Sequence, residues 1–161
     1  MLRVGTVGTS SIMRTIQEAI RLTDGMECRV VYSRTEEQGR AFAAEMGVPE
    51  HCTDYAAMLE RSDLDLIDIA SPNRFHVEQA LAALEHGKHV IVEKPAAVTR
   101  GDVQRLIDAA RANGVYFFEA ITTLFMPQYE ACRLLLPKLG RIEQAHITYA
   151  QYSSRYDLSL I

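Results

Sequence analysis

Short runs of β-branched residues alternate along this chain with longer stretches whose apolar side chains recur at helical spacing. That alternation limits the fold to βαβ units around a parallel sheet. The spacing predicts a strand over 2–7, a turn over 8–11, and a helix whose face carries Ile12, Ile16, Ala19 and Ile20 and closes at Asp24-Gly25. A second strand is expected over 28–33. It leads into a helix with Phe42, Ala43 and Met46 on one side and Gly47 and Pro49 as its stop. Tyr55, Met58 and Leu59 fit a short helix, and the almost continuous apolar run 66–70 fits a strand covered on both faces. Beyond the break at Ser71-Pro72-Asn73, Val77, Ala80, Leu81 and Leu84 mark a helix ending at Gly87, and 89–92 is again strand-like. Thr99 is placed to cap a helix carrying Val103, Leu106, Ile107 and Ala110, followed by a strand over 115–118. The fold class expected is α/β, a Rossmann-type doubly wound parallel sheet.

The pattern changes after Glu119, which divides the chain into an expected nucleotide-binding domain, 1–120, and the start of an incomplete α+β second domain, 121–161. In the second part Pro127 opens a helix through 136, Pro137 and Gly140 punctuate it, and 142–152 reads as a long edge strand. With 161 residues, 48% of them hydrophobic, the chain can bury one sizeable core but not two.

A formal charge of -4 argues against nucleic acid as a partner, because polyanion binders cluster Lys and Arg in excess of acids. Cys28, Cys52 and Cys132 are odd in number and far apart, so neither a disulfide framework nor a zinc knuckle is indicated. No His-Glu-x-x-His or similar ligand set occurs, so no metal site is expected. Met1-Leu2-Arg3-Val4 runs straight into a strand without a secretory leader pattern, and no apolar run approaches the ~18 residues of a membrane span. The expected setting is the cytoplasm, with no membrane contact.

The turn Gly8-Thr9-Ser10-Ser11-Ile12 lies between a strand and a helix, where free amides and the positive end of the helix dipole can receive a pyrophosphate. Against Gly-x-Gly-x-x-Gly only Gly8 matches. Ser10 stands at the second glycine, and Met13 at the third is expected to loosen helix–strand packing. An ordinary βα turn with a serine cap accounts for the same residues. The second strand ends in Ser33-Arg34-Thr35 where an NAD site usually places an acid on the ribose 2'-hydroxyl. A carboxylate there would repel a 2'-phosphate, whereas Arg34 can pair with it, so NADP is favoured over NAD despite nearby Glu36 and Glu37.

The stretch Ile67-Asp68-Ile69-Ala70-Ser71-Pro72-Asn73, then His76, then Gly87-Lys88-His89-Val90 and Glu93-Lys94-Pro95, resembles the glucose-fructose oxidoreductase, inositol dehydrogenase and MocA (Gfo/Idh/MocA) family in order and spacing. The likeness covers essentially the whole chain as the amino-terminal part of such a protein. It implies that Ala70, Ser71, Pro72, Asn73 and His76 line the cofactor and that Glu93 and Glu119 add contacts to it. It also implies that Lys94 approaches both nicotinamide and substrate as the catalytic residue. The implied activity is hydride transfer between the nicotinamide and a hydroxyl of a sugar, inositol or related cyclic alcohol, with a small-molecule substrate and a homo-oligomeric full-length protein. The family's catalytic base belongs to a second domain whose residues lie past Ile161, so cofactor binding with little or no turnover is expected of the chain alone. A glycoside-cleaving enzyme that keeps its cofactor, or a non-catalytic nucleotide sensor, are the alternatives.

Overall fold

The computed structural model describes residues 1–148 and 150, in two compact units, Met1–Ala120 and Ile121–Ile161. The first unit contains six strands: β1 (Leu2–Val7), β2 (Met26–Tyr32), β3 (Glu50–Cys52), β4 (Leu66–Ile69), β5 (His89–Val92) and β6 (Phe117–Glu119). All pair in parallel, in the order β3-β2-β1-β4-β5-β6. The chain therefore winds outward from β1 in one direction, crosses back beside β1, and winds outward in the other. This is the doubly wound Rossmann topology.

The helices are α1 (Ser11–Leu22), α2 (Glu36–Met46), α3 (Tyr55–Leu59), α4 (His76–Glu85) and α5 (Arg100–Ala112). Right-handed crossovers put helices that precede outward moves in opposite directions on opposite faces of the sheet. The core divides accordingly. Met13 of α1 and Phe42 and Ala43 of α2 pack with Val31 and Ala70, while Met58, Leu59, Leu84, Leu106 and Ala110 of α3, α4 and α5 pack with Ile67, Ile69, Val90 and Val92. Local chemistry supports each helix start: Thr35, Asp54 and Thr99 accept hydrogen bonds from the amides of Gln38, Ala57 and Asp102.

Three sequence expectations are corrected. The buried face of α1 is Met13, Gln17 and Ile20, with Ile12 turned out to 42% exposure. Met13 itself is fully buried, a burial that stabilises by about 2 kcal/mol. The strand β3 went unpredicted because Glu50, His51 and Cys52 carry no apolar pattern; they are extended only because they pair with Val30, Val31 and Tyr32. The last strand of the unit starts at Phe117 rather than at 115, because Gly114 adopts φ 65° and the Val115 amide donates to the Ala110 carbonyl at 3.0 Å, closing α5.

The second unit contains α6 (Pro127–Leu135), with proline in its first turn where no amide donor is needed. Short 3₁₀ turns, Thr122–Phe125 and Leu136–Leu139, flank it. Residues 142–148 form no strand: among the described residues no ladder is offered to them, and an alternating pattern alone does not make a sheet. The remainder of the strand expected over 142–152, apart from residue 150, lies outside the described residues.

Candidate functional site

The strand order reverses between β1 and β4, and the tip of β1 is pinned there on both sides. The Gly8 amide donates to the Tyr32 carbonyl at 3.0 Å, and the Ala70 amide donates to the Val7 carbonyl at 3.0 Å. Gly8 has φ 117°, and a Cβ on it would lie 2.8 Å from the Ala70 carbonyl oxygen, so the turn accepts no other residue without moving β4. A cleft of about 240 Å³ opens at this point. Its floor is Val7, Gly8, Thr9 and Ser10; one side is Tyr32, Ser33, Arg34 and Gln38; the other is Ala70, Ser71, Pro72, Phe75 and Gln79.

The amino end of α1 faces this turn with unused capacity. Ser10 occupies the cap position with extended backbone but makes no side-chain cap bond, and the first turn carries no acid. Free amides, serine hydroxyls and the positive helix end are together a receptor for a phosphate. At the tip of β2, Ser33 is buried and Arg34 is exposed at the cleft edge. Glu36 and Glu37 do not line the cleft. The Glu36 carboxylate takes a hydrogen bond from His51 at 2.7 Å, with Arg40 at 3.4 Å, and these partners hold its pKa below the usual carboxylate value.

Eight of the residues singled out in the sequence line this cleft: Gly8, Thr9, Ser10, Ser33, Arg34, Ala70, Ser71 and Pro72. Ser11, Ile12, Thr35, Asn73, His76, Glu93, Lys94 and Glu119 do not. Thr35 spends its hydroxyl capping α2, and Asn73 opens a 3₁₀ turn. His76 is engaged with two loops. It is 1% exposed, with Nε2 2.7 Å from the Ser71 carbonyl and Nδ1 2.9 Å from the Pro95 carbonyl. The buried ring therefore lies between the β4 and β5 loops, its single N–H donating to one of the two carbonyls. Glu119, too, is engaged in holding a loop, since its Oε1 accepts the Ala96 amide at 2.9 Å. Between these ties Glu93 is half-buried and Lys94 is exposed at the strand tip, its amide donating to Glu93 Oε2 at 3.3 Å. The Lys94-Pro95 peptide is cis.

Val7, Tyr32, Gln38, Phe75 and Gln79 line the cleft but were not singled out. Each sits one to three residues from a motif residue, and only the folded wall shows that they face the same space. One further group lies behind the site. Asp68 on β4 is 6% exposed, and its Oδ1 has no hydrogen-bond partner. It stands beside Thr6 in the β1–β4 register, and Gln17 Nε2 donates to Thr6 Oγ1 at 2.9 Å and to Cys28 Sγ at 3.2 Å. Burial, reinforced by the Glu93 charge, pushes the Asp68 carboxyl up to about 7.

The doubly wound sheet, the glycine turn at the strand-order reversal and the open helix end define a dinucleotide-binding Rossmann domain of the oxidoreductase class. Residues 2–121 match the family model described as "Oxidoreductase family, NAD-binding Rossmann fold", and the chain belongs to this Gfo/Idh/MocA family. It is 37% identical over 157 residues to a scyllo-inositol 2-dehydrogenase (NADP(+)) of Bacillus subtilis, covering 98% of this chain and 48% of that protein. Among solved structures it resembles a 3-ketoreductase from Actinomadura kijaniata in complex with NADP, at TM-score 0.80 and 30% identity over 85% of this chain and 42% of that one. It likewise resembles a biliverdin reductase from Synechocystis in complex with biliverdin and NADP+, at TM-score 0.76 and 30% identity over 87% and 44%. The chain thus spans about half the length of the curated relatives it matches. No helix among the described residues is long and apolar enough to cross a membrane, and no described group of His, Cys, Asp and Glu could hold a metal ion.

Proposed function

We propose that this chain binds NADP(H) as the nucleotide-binding part of an oxidoreductase that moves a hydride between the nicotinamide and a hydroxyl of a sugar, inositol or related cyclic alcohol. The observation that carries the reading is the cleft at the β1–β4 reversal, where Gly8 lets the backbone approach a ligand and Arg34 stands where an acid would mark NAD. The relative from Bacillus subtilis is named for NADP(+) and an inositol, which supports the same cofactor and substrate class. Gly8, Thr9, Ser10 and the amides of Ser11 and Ile12 hold the pyrophosphate, and Ser33 and Arg34 hold the 2'-phosphate. The nicotinamide, when bound, supplies the site that accepts or gives the hydride.

Lys94, exposed at the tip of β5, hydrogen-bonds the substrate oxygen and stabilises its developing negative charge. Glu93 orients Lys94 through the loop that His76 and Glu119 tie down. Residues 121–161 we read as the start of the substrate domain, which would also carry subunit contacts. Titration with NADP and NAD tests the cofactor reading. NADP should bind more tightly, and Arg34→Ala should remove about a 10- to 100-fold preference, the usual worth of a charge-assisted phosphate contact. Equal affinities in the unaltered chain refute it. In a full-length protein, Lys94→Ala should lower the chemical rate far more than cofactor affinity, and near-normal turnover removes Lys94 from the mechanism.

A further inference from the structure

The wall of the cleft opposite Arg34 carries an amide side chain, Gln79, in the first half of α4. One bond holds the side chain and a second anchors its main chain: Ser71 Oγ donates to Gln79 Oε1 at 2.6 Å, and Tyr55 Oη donates to the main-chain carbonyl of Gln79 at 2.8 Å. Tyr55 is a dependable donor, since burial pushes its phenol further above the ordinary tyrosine value. Its ring also lies 5.4 Å from that of Tyr32, which faces the same cleft. The Ser71 bond occupies one lone pair of Oε1 and restrains the amide. The second lone pair and both Nε2 hydrogens are left for a ligand, no hydrogen bond engaging Nε2 among the described residues.

Pro72 and Phe75 beside Gln79 are flat or apolar, and Arg34 opposite is a planar cation. Such walls accept the faces of a heteroaromatic ring and say nothing about its edge. A restrained carboxamide does read an edge. It can accept from an exocyclic amino group while donating to the adjacent ring nitrogen, the pairing that glutamine makes with adenine. From this geometry we propose that Gln79, positioned by Ser71 and Tyr55, pairs with the amino edge of the adenine base and makes the cleft selective for adenine over a 6-oxo purine. A 6-oxo base presents an oxygen toward Oε1 in place of an amino donor, so two acceptors meet and one hydrogen bond is lost. The inference rests on the dinucleotide reading above and adds a determinant of base specificity to it.

The test compares NADPH with its deaminated counterpart, which carries hypoxanthine in place of adenine, by fluorescence titration of the 161-residue chain. The unaltered chain should bind the adenine form about 5- to 150-fold more tightly, the range of one bidentate base contact. Gln79→Leu should bind both forms alike. Gln79→Met, which keeps the length but has neither the amide acceptor nor the donor, should lose the preference as well, and it decides the matter if Gln79→Leu does not fold. Equal binding of the two forms by the unaltered chain, or a preference that survives both substitutions, overturns the role of Gln79 and leaves the dinucleotide reading standing. No binding of either form overturns both.

Discussion

Replacing Asp68 by asparagine should stabilise the chain, and by an amount that grows with pH. The carboxyl is 6% exposed with an unpartnered Oδ1, and its pKa stands at about 7 against an ordinary value of 3.8. Because the folded pKa is the higher one, the folded state holds a proton that the unfolded chain has released throughout the range between them. Stability therefore falls as pH rises from 3.8 and levels off above 7. At 1.36 kcal/mol per pKa unit, raising the pH from about 5.5 to about 8.5 adds roughly 2 kcal/mol to the penalty. Asparagine has the same shape and no such penalty. Its own cost of burying an incompletely paired amide, about 1–3 kcal/mol, is the same at both pH values and cancels in the comparison. The groups around Asp68 that bear on the profile are Glu93, the residue after β5, which raises its pKa, and Cys28, Thr6 and Gln17, which are uncharged in this range. Urea unfolding followed by circular dichroism at the two pH values, on the chain and on Asp68→Asn, gives the difference directly. If the advantage of asparagine changes by less than about 0.5 kcal/mol between them, Asp68 does not carry a raised pKa and the reasoning fails.

Gly8→Ala should abolish dinucleotide binding and lower stability by about 1–3 kcal/mol, because the added Cβ meets the Ala70 carbonyl at 2.8 Å with φ at 117°; titration calorimetry and a thermal melt measure both effects. His76→Ala should cost roughly 2–4 kcal/mol, since it opens a cavity and removes the ring N–H that donates to one of the two neighbouring carbonyls, of Ser71 or of Pro95. Hydrogen exchange should show the loss concentrated in the loops around 71 and 95, and uniform exchange across the sheet would contradict the tie.

The alternation of apolar periods by itself determined the parallel sheet and the order of its elements apart from β3, because a segment's period states which of its sides must leave water. Gly8 and Ser33-Arg34 were legible for a similar reason: a residue that needs φ above zero, or a strand tip without an acid, shows its constraint locally. Period alone left α1 one residue out of phase, since the polar Gln17 belongs to its buried face and Ile12 does not. Tertiary structure alone decided what each motif residue does. His76 and Glu119 carry the chemistry of cofactor contacts, yet their partners are the carbonyls and amides of loops 5 to 23 residues away, which no spacing rule connects. The same holds for Glu50–Cys52, extended only by its neighbour, and for Gln79, an unremarked helix residue that becomes part of the cleft because Ser71 and Tyr55 arrive beside it from other elements. Local sequence encodes conformational preference and burial, whereas a hydrogen-bonding partner across the fold exists only once the chain has closed on itself.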